Sequence, residues 1–91
     1  MYTACFEVSL KIPGAFCLKD KRRVVSSLKQ RCKSRFNASV VECGEDGKWQ
    51  SARLGFAVAA VSASAARHAQ NSIIDFIIND GRADIIGITA H

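Results

Sequence analysis

Hydrophobic and polar residues alternate over the first twelve positions of the chain. This period of two is typical of a strand that buries one face, and Pro13 and Gly14 end it. The polar members of the alternation are Thr3, Cys5, Glu7, Ser9 and Lys11. The apolar members of the alternation are Tyr2, Ala4, Phe6, Val8, Leu10 and Ile12.

The spacing changes to that of a helix from about Leu18. At 100° per residue Val24, Val25, Leu28 and Cys32 share one side, which we expect to face the core. The opposite side is predicted to carry a stripe of cations, formed by Lys19, Arg22, Lys29 and Lys33.

The middle of the chain predicts a β-hairpin. Residues 37–43 form the first strand, the glycine-containing cluster 44–47 the turn, and residues 50–61 the returning antiparallel strand. Ser62 or Ser64 then caps a second helix, and Gly81 lies where a left-handed C-terminal cap is expected. Residues 83–90 are the last strand.

The element order βαββαβ predicts an α+β ferredoxin-like plait as one domain over residues 1–91. Its four-stranded antiparallel sheet carries both helices on one face. Right-handed crossovers place the first and third strands in the middle of the sheet.

Composition agrees with a globular protein of the cytoplasm. The chain is 48% hydrophobic and 23% charged, and no apolar run is long enough to span a bilayer, so we expect no membrane partner. Its four cysteines include no Cys-x-x-Cys pair, so we predict reduced thiols, no metal and no cofactor. His68 and His91 lack a nucleophile at a defined spacing, and no catalytic constellation is found, so we expect no enzyme.

Charge is concentrated in the first helix. Residues 18–35 hold eight of the thirteen Lys and Arg residues and one acid, a formal charge of +7 against −2 for the rest of the chain. This concentration favours contact with the phosphates of a nucleic acid, and a solvated amphipathic helix is the alternative. The residues predicted to bind nucleic acid are Lys19, Lys21, Arg22, Arg23, Lys29 and Lys33.

The sheet face away from the helices is predicted to carry small residues. Such a face suits close packing of a second sheet, so we expect either a homodimer through the open sheet face or a solvated surface. Phe6 and Phe56 fall in the core register, which argues against stacking of RNA bases on the open face. The outward residues are Cys5, Glu7, Ser9, Arg53, Gly55, Ala57 and Ala59.

Three stretches carry a further pattern, in order along the chain. They are Ile12-Pro13-Gly14 with Leu18-Lys19-Asp20-Lys21-Arg22-Arg23; Arg35-Phe36-Asn37 with Ser39-Val40 and Glu42; and Trp49-Gln50 with Ala52, Leu54-Gly55 and Ala57-Val58. Together they closely resemble the YlxP-like family of small bacterial proteins. Cys17 departs from the family's usual Ser before Leu18, which puts a serine cap of the first helix in doubt, and the turn at 44–48 also differs.

The resemblance implies a ferredoxin-like fold and no assigned enzymatic activity. Genes of the family often lie beside those for translation initiation and ribosome-assembly factors, which favours RNA as a partner. The residues that the family pattern marks are Lys19, Lys21, Arg22, Asn37, Ser39, Glu42, Trp49 and Gln50. Trp49 is interpreted as a lid on the core edge rather than a base-stacking ring.

The sequence therefore favours a non-enzymatic RNA-binding or ribosome-associated accessory protein that uses its basic first helix. The alternative is a homodimeric protein-interaction module whose basic helix meets an acidic partner.

Overall fold

A computed structural model describes residues 1–44 and 50–91 of the protein. Its six helices and strands follow one another in the predicted order. The predicted turn at 44–47 and the lid role of Trp49 fall wholly or mainly outside these described residues. The elements are β1 (Tyr2–Lys11), α1 (Leu18–Phe36), β2 (Ser39–Cys43), β3 (Ser51–Ala60), α2 (Ala63–Asp80) and β4 (Asp84–Ala90).

The four strands form one antiparallel sheet in the order β2-β3-β1-β4. The prediction that the first and third strands are central is confirmed. Phe6 pairs with Phe56, and Glu7 pairs with Gly55. Residues that are paired in this way point to the same face of the sheet. The register between β1 and β4 shifts after Ser9, which leaves Ile86 unpaired as a bulge on the edge strand.

The core lies between the sheet and the two helices. Phe6 and Phe56 stack there with ring centroids 5.1 Å apart, which confirms the parity predicted for the central strands. Helix side chains on the same side of the sheet are buried against them. These are Val25, Leu28 and Cys32 of α1 with Ile73 and Ile77 of α2, while Val24 is only partly buried.

The helix ends follow the local sequence. Cys17 occupies the N-cap position of α1 but makes no side-chain capping bond, as its weak acceptor strength leads one to expect. Ser62 rather than Ser64 caps α2, because its Oγ accepts the N–H of Ala65 at 3.1 Å. Asn37 and Gly81 end the two helices in the left-handed conformation, with φ of 52° and 81°.

Candidate nucleic-acid interface

Five cations share the outward side of α1, and we call them the cationic face. At 100° per residue they occupy an arc of about 120°, and a rise of ~1.5 Å per residue spreads them over about 21 Å. All are exposed except Lys29, which is half-buried. The cationic face consists of Lys19, Arg22, Arg23, Lys29 and Lys33.

No acid interrupts the cationic face within the part of the chain that the structure describes. Asp20, the one acid of α1, turns toward the start of the helix, where its carboxylate accepts the N–H of Phe16 at 3.0 Å. Among residues 1–44 and 50–91 no carboxylate forms an ion pair with any of the five cations. Their charges therefore remain unneutralised by the described protein.

The other three cations of α1 are engaged elsewhere, and Lys21 requires a correction. It was predicted to contact nucleic acid, yet only 8% of it is exposed. Lys21 precedes Val25 by four residues and Leu28 by seven, so helical geometry turns it to the core side. It lines a recess of about 200 Å³ beside Glu42 and Arg53 and is not part of the cationic face.

Arg31 and Arg35 point toward α2. Arg31 Nη1 donates to Asp80 Oδ1 at 3.1 Å. The guanidinium carbon of Arg35 lies 5.5 Å from the centre of the Phe76 ring and 5.8 Å from that of Phe36. These contacts fix the rotation of α1 about its own axis and leave the cationic face directed away from α2.

Asp80 is the centre of a polar cluster that joins both helices. Its side chain is 6% exposed and accepts from Arg82 Nε at 2.7 Å and from Arg82 Nη2 at 3.0 Å. Arg82 Nη2 also donates to Ser27 of α1 at 2.9 Å. The hydrogen bonds from Arg82 hold the pKa of the Asp80 carboxyl below its usual value, and Asp80 in turn raises the pKa of Arg82.

The cysteines are free thiols in different environments. Burial, with a smaller contribution from the charge of Asp80, raises the pKa of the Cys32 thiol to about 11. A thiol that stays protonated is a poor nucleophile, so Cys32 serves packing. Cys5 and Cys17 are exposed and Cys43 is half-buried. Over the described residues no group of three His, Cys, Asp or Glu side chains is arranged to hold a metal ion.

Two of the residues that the family pattern marks, Gln50 and Asn37, have structural roles. Gln50 Nε2 donates to the carbonyl oxygen of Ala15 at 3.3 Å and so ties the loop before α1 to the start of β3. Asn37 provides the left-handed end of α1. Ser39 and Glu42 are exposed on the edge strand β2.

The open sheet face carries small residues, and Glu7 near its middle is paired. Glu7 bridges two partners, Arg53 Nε at 3.0 Å and His91 Nε2 at 2.8 Å. A Cβ added to Gly55 would come within 2.9 Å of Cys43 Sγ and 3.1 Å of a Val41 methyl, so these side chains lie across the glycine. Val41 and Ile86 are 59% and 63% exposed on this side, where sequence analysis had not identified apolar residues.

The sequence profile of the family described as "Protein of unknown function (DUF503)" matches residues 3–90. The chain belongs to this family. A curated relative, "Uncharacterized protein YlxP" of Bacillus subtilis (strain 168), is 43% identical over 53 residues, which are 58% of this chain and 55% of the relative. The match therefore spans about half of the relative's length, and it confirms the resemblance to YlxP-like proteins.

A solved structure supports the same fold. A de novo designed protein with a ferredoxin fold, determined by solution NMR, superposes with a TM-score of 0.59 at 20% identity. The superposition covers 100% of this chain and 86% of the designed protein. Together with the strand order and the helix placement, it establishes the ferredoxin-like plait for this member of the family.

No helix in the described chain combines the length and the hydropathy needed to cross a membrane. The family description names no activity, so any function has to be argued from the surfaces.

Proposed function

We propose that this protein is a non-enzymatic accessory protein that binds structured RNA, ribosomal RNA included, through the cationic face. The observation that carries the proposal is the group of five cations on one exposed side of α1, with no acid among them in the described structure. A solvated helix usually mixes both signs of charge, because like charges one turn apart destabilise it.

The arrangement suits contact with the phosphate backbone of a helical nucleic acid. Lysine and arginine side chains along about 21 Å of one helix can contact a row of phosphates without requiring particular bases. Phe6 and Phe56 of the central strands are buried in the core, and Tyr2 has the same parity on β1 as Phe6, so the strands that the structure describes place no ring on the open sheet face for base stacking. We therefore expect binding that depends on backbone geometry and hardly on base sequence.

The salt dependence of binding tests this proposal. Five phosphate contacts correspond to a slope of about −3.5 to −4.5 in log K against log salt. Affinity for an RNA hairpin should then fall roughly 100- to 500-fold between 50 and 200 mM KCl. The measurement is fluorescence anisotropy with hairpins of unrelated sequence, and an affinity that ignores salt would contradict the proposal.

A second candidate is a homodimeric interaction module, which the small residues of the open sheet face favour. Glu7 is paired within the chain by Arg53 and His91, so a second copy could approach without burying an unpaired carboxylate. Four strands of five to ten residues, at ~3.3 Å per residue and ~4.8 Å apart, cover about 500 Å². Two copies would bury about 1,000 Å², the lower limit for a specific interface. In this candidate the cationic face meets an acidic protein.

The oligomeric state tests the second candidate. A dimer through the open face should be lost on Ala57→Arg, because Ala57 lies at the middle of that face opposite Cys5. Asn71→Arg on the exposed side of α2 is the matched control and should leave the dimer intact. Size-exclusion chromatography with light scattering gives the mass, and a 9.9 kDa monomer at the highest attainable concentration excludes this interface.

A further inference from the structure

Phe16 is an exposed aromatic ring on a fixed backbone. The residue is 78% exposed, although full burial of a phenylalanine side chain would stabilise the fold by about 1.5 to 3 kcal/mol. Its N–H donates to the Asp20 carboxylate, and the preceding Ala15 is 1% exposed. Ala15 is itself held by its N–H bond to the Ile12 carbonyl at 3.1 Å and by the Gln50 side chain. The loop therefore presents the ring to solvent in a defined place.

Phe16 belongs to the loop that leads into α1, the helix that carries the cationic face. Phe16 directly precedes Cys17, the N-cap of α1, and Lys19 follows in the first turn of the helix. Arg22 and Arg23 extend the positive charge one turn further. An aromatic ring beside a row of cations is the combination by which proteins hold an unpaired base next to a phosphate backbone.

We propose that Phe16 stacks on an unpaired base of the RNA whose phosphates contact the cationic face. The preferred ligand is then a duplex that ends in a single-stranded overhang. This inference rests on the proposed RNA-binding function. It adds the residue that would recognise the junction between a duplex and its single-stranded overhang. Stacking tolerates any base, because every base has a π-face, so the selection is for an unpaired nucleotide and not for a sequence.

A lipid surface is the less favoured partner for the same ring. Amphipathic membrane-binding helices insert a whole apolar side, but the apolar side of α1 is buried in the core. Among the described residues, the large apolar side chains exposed at this end of α1 are Phe16 and the 44%-exposed Leu18, which are too few to anchor a helix in a bilayer.

Three RNAs test the inference by anisotropy: a blunt-ended two-strand duplex with no unpaired base, the same duplex with a one-nucleotide 3′ overhang, and that overhang made abasic. The wild-type protein should bind the base-containing overhang about 5- to 150-fold more tightly than the other two. Phe16→Ala should remove this preference, while the salt slope for the blunt duplex, which the cationic face determines, should stay the same. Tyr2→Ala, which removes a 52%-exposed ring at the start of β1, is the matched control and should retain the preference.

Two further variants separate stacking from apolar contact. Phe16→Trp should keep the preference, and Phe16→Leu should lose it because leucine has no π-face. A preference kept by Phe16→Leu, or absent in the wild type while the blunt duplex still binds with the expected salt slope, overturns the stacking inference alone. Failure of all three RNAs to bind overturns the proposed function with it. If Phe16→Ala weakens binding to vesicles of phosphatidylglycerol and phosphatidylcholine but not to RNA, the ring belongs to a lipid surface and the inference is wrong.

Discussion

Changing Arg22→Glu and Lys33→Glu together is expected to weaken RNA-hairpin binding roughly 100-fold or more at low salt. Both side chains are exposed, and they lie on the side of α1 away from Arg31 and α2. Each change removes one phosphate contact and places a repelling carboxylate at the same point. The salt slope should also fall by about 2, because two fewer counterions are released.

The control for this prediction changes the net charge by the same amount at other places. Lys11→Glu with Arg67→Glu alters two exposed cations outside the cationic face. Arg67 lies on the side of α2 opposite Phe76 and Asp80, which contact α1. This double variant should lose only the small affinity due to overall charge. Equal losses in the two double variants would show that net charge, and not the cationic face, determines binding.

Changing Asp80→Asn should lower the free energy of unfolding by about 2 to 3 kcal/mol and the Tm by roughly 10 to 20 °C. The Asp80 side chain is 6% exposed and accepts charged hydrogen bonds from Arg82 and Arg31. Asparagine keeps the shape but not the charge, so both guanidinium groups lose their ion pair. The effect stays below that of a fully buried pair, because 38% of Arg82 and 58% of Arg31 remain exposed.

The contribution of Asp80 should depend on pH in one direction. Its pKa in the folded protein is held below the ordinary value of 3.8, chiefly by the hydrogen bonds from Arg82. The unfolded chain therefore takes up the proton first as pH falls. The stability that the carboxylate provides is complete well above pH 4 and is lost as pH falls through the folded-state pKa.

Urea denaturation of the wild type and the Asp80→Asn variant at pH 7 and at pH 2.5 checks both statements. The difference between the two proteins should be large at pH 7 and should shrink at pH 2.5. Asp75→Asn, on the exposed outer side of α2, should change stability by less than about 0.5 kcal/mol at either pH. A constant difference between wild type and Asp80→Asn over this range would contradict the assigned role of the ionised carboxylate.

Most of the fold could be predicted from the periodicity of the hydrophobic residues and from the residues that end helices and strands. The alternation around Phe6 gave the buried face of β1, and Gly81 correctly marked the end of α2. Lys21 was misplaced because its residue type, and not its spacing from Val25 and Leu28, was used to assign it to the surface. The signal for its burial was present in the sequence.

The contacts between distant parts of the chain could not be predicted in the same way. Asp80 meets Arg31 across 49 residues, and no local pattern relates an acid at one helix end to a cation on another helix. Phe16 lies in a loop, where no repeat says whether a ring turns inward or outward. All five members of the cationic face were among the six residues predicted from the sequence, because they follow the helical repeat; the sixth, Lys21, was wrongly included.

Because both helices lie on one side of the sheet, their position determines how many RNA segments an assembly of this protein could hold. The cationic face and the open sheet face belong to opposite layers, so RNA bound to one leaves the other accessible. Two copies joined sheet to sheet would direct their α1 helices outward in opposite directions. Such a pair would be unable to close around one duplex and would instead bridge two, bringing separate RNA segments together at a ratio of one segment per chain.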